Sequence, residues 1–114
     1  MSEPTQIDLV RKAILAGTLG NIQWKDSAAA IVRQDATLMG LTPQGIRKLV
    51  RELVAAGTAI DVREEKRAEY RAEHPFWFRI MFDVPDLFPR LFVEIILVDD
   101  DPEEPFVEIV SAHR

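Results

Sequence analysis

Apolar and polar residues alternate along three runs in the last third of the chain. The runs are residues 76–84 (FWFRIMFDV), 91–98 (LFVEIILV) and 106–111 (FVEIVS). In the first run, Phe78, Ile80 and Phe82 occupy alternate positions, with Trp77 and Arg79 between them. Period-two alternation predicts strands with one buried face and one wetter face. Because acidic or proline-containing turn sequences follow the first two runs, we expect an antiparallel meander.

The first half of the chain has helical spacing instead. Apolar residues recur every three or four positions, which predicts helices at about residues 7–16, 27–38 and 43–56. Thr42 followed by Pro43 is typical of a helix start, since a hydroxyl can cap the helix and proline fits its first position. Residues 21–26 are predicted to be a connection. The apolar stripe of the third helix comprises Ile46, Leu49, Val50, Leu53 and Val54, and the first four are expected to lie against the sheet.

The segment between the helices and the sheet is less regular. Residues 58–62 have the pattern of a short strand, and the charged residues 63–73 fit either a fourth helix or an exposed excursion. Helices followed by strands define an α+β fold, and 114 residues suit one domain over residues 1–114. The sheet residues expected opposite the third helix are Phe78, Ile80, Phe82, Val93 and Ile95.

Composition narrows the class of protein. No apolar run approaches the roughly 18 residues of a membrane helix, and the first residues lack the pattern of a secretory signal. The chain has no cysteine, which excludes disulfides, thiolate metal sites and cysteine nucleophiles. We therefore expect a cytoplasmic protein without a membrane segment.

The net charge of −5 is unevenly distributed. Residues 1–79 carry 12 Lys and Arg against 10 Asp and Glu, whereas residues 80–114 carry two against nine. The acidic residues concentrate in the turn 99–104 (DDDPEE). Long-range attraction to nucleic acid is not expected from such a chain, so any contact with nucleic acid has to be local.

Candidate catalytic chemistry is sparse. There is no glycine-rich phosphate loop, nucleophile elbow or paired-histidine metal motif, and we expect neither cofactor nor metal. His113 occupies the same alternate positions as Val107 and Ile109, and Arg79 lies on the wetter face of its strand. If that face forms a cleft, Arg79, His113 and Tyr70 are the candidates for catalysis on a phosphodiester, because arginine pairs with phosphate and histidine or tyrosine moves protons. The candidate RNA-binding residues are Arg63, Lys66, Arg67 and Arg71.

The alternative for these residues is structural. His113 and Arg114 would then be a frayed terminus, and Arg79 would pair with a cross-strand acid such as Glu94 or Glu108.

Several short segments, taken together, carry a family resemblance: VRKAILAG (10–17), Ser27-Ala28, LMGL (38–41), Gly45, Leu53, LFVEI (91–95) and IVSAH (109–113). They resemble the motility quorum-sensing regulator family, whose members are small bacterial toxins with a RelE-like fold that cleave messenger RNA. The resemblance implies a metal-independent endoribonuclease of a toxin–antitoxin pair, with RNA and an antitoxin protein as partners and an active site on the face of a small sheet.

The site residues implied by the resemblance match only in part. The family has an aromatic hydroxyl and then a lysine on its penultimate strand, where this chain has Phe92 and Glu94. A phenyl ring transfers no proton, and Glu94 is expected to oppose phosphate binding if it lies on the same face. His113 corresponds in kind to the family's basic residue near the chain end, and Tyr70 is the single tyrosine.

Two other classes of function fit parts of the sequence. Residues 36–60 suit a helix–turn–helix of a winged-helix DNA-binding regulator, with Gln44, Arg47, Lys48 and Arg51 facing a groove. Residues 99–108 suit a non-catalytic interaction or inhibitor module that engages a basic protein through its acidic surface.

Overall fold

The chain folds into helices packed on a five-stranded sheet, which confirms the predicted α+β class. A computed structural model describes residues 5–17, 19–71, 74–84 and 87–114. In chain order the elements are α1 (Gln6–Leu15), β1 (Ile22–Trp24), α2 (Asp26–Gln34), a 3₁₀ turn (Ala36–Leu38), α3 (Pro43–Ala55), β2 (Asp61–Glu64), α4 (Ala68–Arg71), β3 (Phe76–Val84), β4 (Phe88–Asp99) and β5 (Phe106–His113).

Local side-chain hydrogen bonds fix where the two longest helices begin. At the start of α1, the Thr5 hydroxyl accepts from the backbone N–H of Asp8, and the Asp8 carboxylate accepts from the N–H of Thr5, both at 3.1 Å. At the start of α3, the Thr42 hydroxyl accepts from the N–H of Gly45 at 3.0 Å, and Pro43 takes the first helical position. The reciprocal cap of α1 and the single cap of α3 satisfy N–H groups that a helix leaves without internal partners.

The sheet has the order β1-β5-β4-β3-β2. Strands β2 to β5 pair antiparallel, as the meander predicts, but β1 adds to β5 in parallel, with Ile22 opposite Val107. The sheet is therefore mixed, and the predicted connection at residues 21–26 contains an edge strand. Asn21 secures this edge, because its side-chain Nδ2–H donates to the Pro105 carbonyl at 3.1 Å.

One face of the sheet and the helices enclose the core. Helix α1 lies against β4 and β5, while α3 packs against α1 and β1. The five sheet residues expected in the core are all buried. On α3, the stripe residues Ile46, Val50 and Val54 are buried as predicted, whereas Leu49 and Leu53 are half-buried at the edge of the cluster.

A β-bulge in β5 changes which face His113 occupies. Ile95 pairs with Ile109, but the next residue back along β4, Glu94, pairs with Ser111, so Val110 is an extra residue. The alternation therefore shifts by one position, and Ala112 is buried while His113 is exposed. His113 therefore lies on the other face from Val107 and Ile109, although all three occupy the same alternate positions in the sequence. Bulges commonly redirect side chains in this way.

Candidate active site

The sheet face turned away from α1, α2 and α3, called here the open face, gathers the candidate catalytic side chains. Strand register places Arg79 of β3 directly opposite Glu94 of β4, and Phe92 of β4 directly opposite His113 of β5. Directly opposed residues on one face of a sheet are near enough for their side chains to interact. Three neighbouring strands thus bring Arg79, Glu94 and His113 around the phenyl ring of Phe92.

His113 is held by two neighbours on β4. Its Nε2 lies 3.2 Å from Oε1 of Glu94, and its ring stacks on Phe92 with centroids 5.6 Å apart and an interplanar angle of 25°. Its side chain is nevertheless 49% exposed, and that of Glu94 is 30% exposed. The imidazole is therefore oriented by a carboxylate and a ring, rather than frayed, and it is accessible to a substrate.

Arg79, on the neighbouring strand β3, contacts the same phenyl ring. Its Cζ is 5.4 Å from the Phe92 centroid, within the range of a cation–π contact. Its Nε is buried without a hydrogen-bond partner, and within the described part of the chain Arg79 makes neither a hydrogen bond nor an ion pair. The cross-strand pairing with Glu94 or Glu108, one of the two alternatives from sequence, does not form, since the Glu94 carboxylate contacts His113 instead. A guanidinium with unused donors beside an open surface is suited to binding an anion.

The connection after β2, which contains Glu65 and Arg67, lies beside the cluster of Arg79, Glu94 and His113 and forms one wall of a cleft. Glu65 is buried, and its carboxylate accepts three hydrogen bonds of 3.0 Å from Arg67, one from the backbone N–H and two from the guanidinium. These bonds lower the pKa of Glu65 to about 2. The backbone N–H of Glu65 also donates to the Pro75 carbonyl at 2.8 Å, which ties the connection to the start of β3.

A cleft of about 570 Å³ separates this wall from the open face. Arg63, Lys66 and Arg67, three of the predicted RNA-binding residues, border it together with Glu94. The side chains of Tyr70 and Arg71, the other predicted residues of the basic segment, lie outside the described residues. The cleft lining comprises Val62, Arg63, Glu64, Glu65, Lys66, Arg67, Trp77, Glu94, Ile96 and Val110.

The sequence pattern did not indicate the role of Phe92 or the contact between Glu94 and His113. Glu94 was expected either to pair with Arg79 or to repel phosphate, and Phe92 only to lack a hydroxyl. The contact depends on the bulge at Val110, which aligns His113 with Phe92. The alternation along β4 could have indicated part of this arrangement, because it places Phe92 and Glu94 together on the face opposite Val93 and Ile95.

Some residues expected to bind DNA or a basic protein instead form hydrogen bonds within the fold. Arg51, one of the four α3 residues expected to face a DNA groove, donates to the carbonyls of Ala16 and Gly17 at the end of α1. In the acidic turn, the Asp99 and Asp101 carboxylates accept from backbone N–H groups two residues later, each at 3.0 Å. Part of each charged surface therefore stabilises the fold.

Comparisons of the chain with protein-family models, with curated proteins and with solved structures find no match. Within the described residues, no helix combines the length and apolar character needed to cross a bilayer. In the same residues, no group of three or more His, Asp or Glu side chains is placed to hold a metal ion.

Proposed function

We propose that this protein is a metal-independent endoribonuclease whose active site is the Arg79, Glu94 and His113 cluster on the open face. The observation that carries the proposal is the convergence of a carboxylate, an imidazole and a guanidinium around one phenyl ring, the guanidinium having no hydrogen-bond or ion-pair partner among the described residues. These three groups supply a proton acceptor, a proton donor and an anion-binding site, which strand cleavage through the RNA 2′-hydroxyl requires.

The proposed reaction balances protons within the cluster. The 2′-hydroxyl attacks the adjacent phosphorus and loses its proton to Glu94, and the bond from phosphorus to the 5′ oxygen breaks. The His113 imidazolium gives a proton to that leaving oxygen, so the products are a 2′,3′-cyclic phosphate and a 5′-hydroxyl. The Arg79 guanidinium neutralises charge on the phosphoryl oxygens, for which its paired N–H groups are suited. Histidine's ordinary pKa of about 6.5 suits proton transfer near neutral pH.

The contact between Glu94 and His113 also reduces the repulsion of phosphate expected from Glu94. When the imidazole is protonated, the pair carries no net charge, so Glu94 opposes an incoming phosphate less than an isolated carboxylate does. The nearby cations of Arg79, Arg63 and Lys66 add local attraction on a chain whose net charge is −5.

The resemblance to the motility quorum-sensing regulator family supports the same reaction class. On this proposal the protein is the toxin of a bacterial toxin–antitoxin pair with a RelE-like fold, it acts in the cytoplasm, and its protein partner is an antitoxin. His113 takes the place of the family's basic residue near the chain end. The proton acceptor differs, since Glu94 replaces the tyrosyl and lysyl chemistry that the resemblance implies.

The test is cleavage of a long single-stranded RNA by the purified protein in the presence of EDTA. We expect His113→Ala and Glu94→Gln each to lower the cleavage rate by about 10²- to 10⁴-fold, the range usual for a lost general acid or base. The matched control is His74→Ala, which removes the other histidine, lies outside the cluster and should leave the rate unchanged. Equal rates for His113→Ala and the wild type would contradict the proposal.

A further inference from the structure

We propose that the cleft beside the cluster is a nucleobase-binding site in which Trp77 stacks on one base of single-stranded RNA. The inference rests on the proposed function and adds to it the form of the substrate. None of the candidate chemistry predicted from the sequence required Trp77, yet its side chain lines the cleft next to Glu94.

Part of the cleft lining is an apolar floor that can contact the face of a base. It is formed by Trp77 of β3, Ile96 of β4 and Val110 of β5, all half-buried side chains on the open face. Val110 is the extra residue of the bulge, so the same irregularity that redirects His113 also supplies part of this floor. Every base presents an apolar ring face, and aromatic side chains bind such faces with little regard to sequence.

The cleft is also lined by cations. Arg63 of the edge strand β2 is the cross-strand neighbour of Trp77, and Lys66 follows on the connection after β2. Cations at the rim of an aromatic floor suit a nucleotide, whose phosphate lies beside its base. The buried Glu65, bound to Arg67 and to the Pro75 carbonyl, fixes this rim in place before any ligand arrives. Binding then orders little of the protein, which favours affinity.

The position of Glu94 connects the two sites. Glu94 lines the cleft and also contacts His113, so a base seated on Trp77 has its own sugar and phosphate beside the cluster. A base within a duplex is paired and stacked on both faces, whereas an unpaired base can turn out and enter such a cleft. The arrangement therefore favours single-stranded over double-stranded RNA.

Trp77 can be followed by fluorescence, because the chain has two tryptophans and the other one is remote in the fold. Trp24 lies on the edge strand β1, where its indole N–H donates to the Pro43 carbonyl at 2.8 Å. In a Trp24→Phe protein, emission reports Trp77 alone. Titration with a 2′-O-methyl RNA oligonucleotide, which lacks the attacking hydroxyl, should give saturable quenching. A Trp77→Phe protein, which reports Trp24 alone, should show no quenching although its phenyl ring still binds the oligonucleotide.

The affinity measurement gives the size of the effect. By fluorescence anisotropy with a labelled 2′-O-methyl oligonucleotide, Trp77→Ala should weaken binding about 5- to 150-fold, the range for loss of one stacked base. Trp77→Phe should recover most of that loss, which separates lost stacking from lost folding. A duplex of the same sequence should bind more weakly than the single strand and quench Trp77 less.

The outcomes separate this inference from the proposed activity. Because the probe cannot be cleaved, quenching of Trp77 supports the cleft whether or not His113 is catalytic. RNA cleavage that depends on His113, combined with no quenching and unchanged affinity in Trp77→Ala, would overturn the nucleobase site and leave the activity standing. Equal quenching by duplex and single strand would overturn the preference for unpaired RNA.

Discussion

Replacing Arg79 with methionine should remove activity without loss of stability. Arg79 is half-buried in mid-strand, its Nε is buried without an acceptor, and it forms no ion pair within the described residues. A buried polar group left without a partner costs about 1–3 kcal/mol. The stem of methionine can still cover the Phe92 ring but has no N–H group to satisfy.

The net change can be estimated from these contacts. Methionine removes the desolvation penalty of about 1–3 kcal/mol and loses a cation–π contact worth about 0.5–1 kcal/mol at a partly exposed site. We therefore expect Arg79→Met to leave the free energy of unfolding unchanged or to raise it by up to about 2 kcal/mol. RNA cleavage should meanwhile fall by about 10²- to 10³-fold, as for loss of one donor to a developing negative charge.

Urea denaturation at pH 7 measures the first quantity, and the RNA assay in EDTA measures the second. The matched control is Arg90→Met, a change of the same chemistry at an exposed residue of β4, for which both quantities should be unchanged. A loss of more than about 1 kcal/mol in Arg79→Met, comparable to a typical hydrogen bond, would mean that Arg79 stabilises the fold and would refute the reasoning.

Three further predictions concern stability, each measured by denaturation. Gly17 and Gly20 both have positive φ, +53° and +80°, but a Cβ at Gly20 would lie 2.6 Å from a carbonyl oxygen of α1, whereas a Cβ at Gly17 would meet nothing within 4 Å. Gly17→Ala should therefore lower the free energy of unfolding by about 1–2 kcal/mol, and Gly20→Ala should lower it clearly more. Equal losses would contradict the steric crowding at Gly20. The pKa of Glu65 is lowered from 4.5 to about 2, so the stabilisation from its carboxylate is present above pH 4.5 and is lost as the pH falls toward 2. The difference in unfolding free energy between wild type and Glu65→Gln should therefore shrink over that interval. A difference that stays constant would contradict the ion pair between Glu65 and Arg67. Ile46→Ala should cost about 2–5 kcal/mol, and Leu49→Ala should cost less because Leu49 is half-buried; the reverse order would mean that the buried stripe of α3 is misassigned.

The sequence was sufficient for the elements whose pattern is long. The strands at 76–84, 91–98 and 106–111 and the helix at 43–56 extend over enough residues for their periodicity to appear, and each lies within one to three residues of its predicted bounds. Strand β1 has three residues, fewer than two full periods of alternation, and its pairing with Val107 spans most of the chain. Such an edge strand is defined by tertiary contact rather than by local pattern.

The candidate site was predictable in its residues but not in its geometry. Arg79 and His113 were identified because they are among the few groups that can bind phosphate or move protons. Nothing in the local sequence marks Val110 as the extra residue of a bulge, and without the bulge His113 would face the core. The contact of Glu94 with His113 depends on that one-residue shift, since a shift moves every later side chain to the other face.

The central claim is that the open face cleaves RNA through the 2′-hydroxyl without a metal. Its most direct test is end-group analysis of a short RNA after incubation with the protein in EDTA, beside an identical oligonucleotide carrying a 2′-deoxynucleotide at the cleaved position. The account predicts a 2′,3′-cyclic phosphate and a 5′-hydroxyl from the RNA, no cleavage at the deoxy position, and formation of these products about 10²- to 10⁴-fold more slowly with Glu94→Gln or His113→Ala. Intact RNA, products bearing a 5′-phosphate, or cleavage at the deoxy position would contradict it.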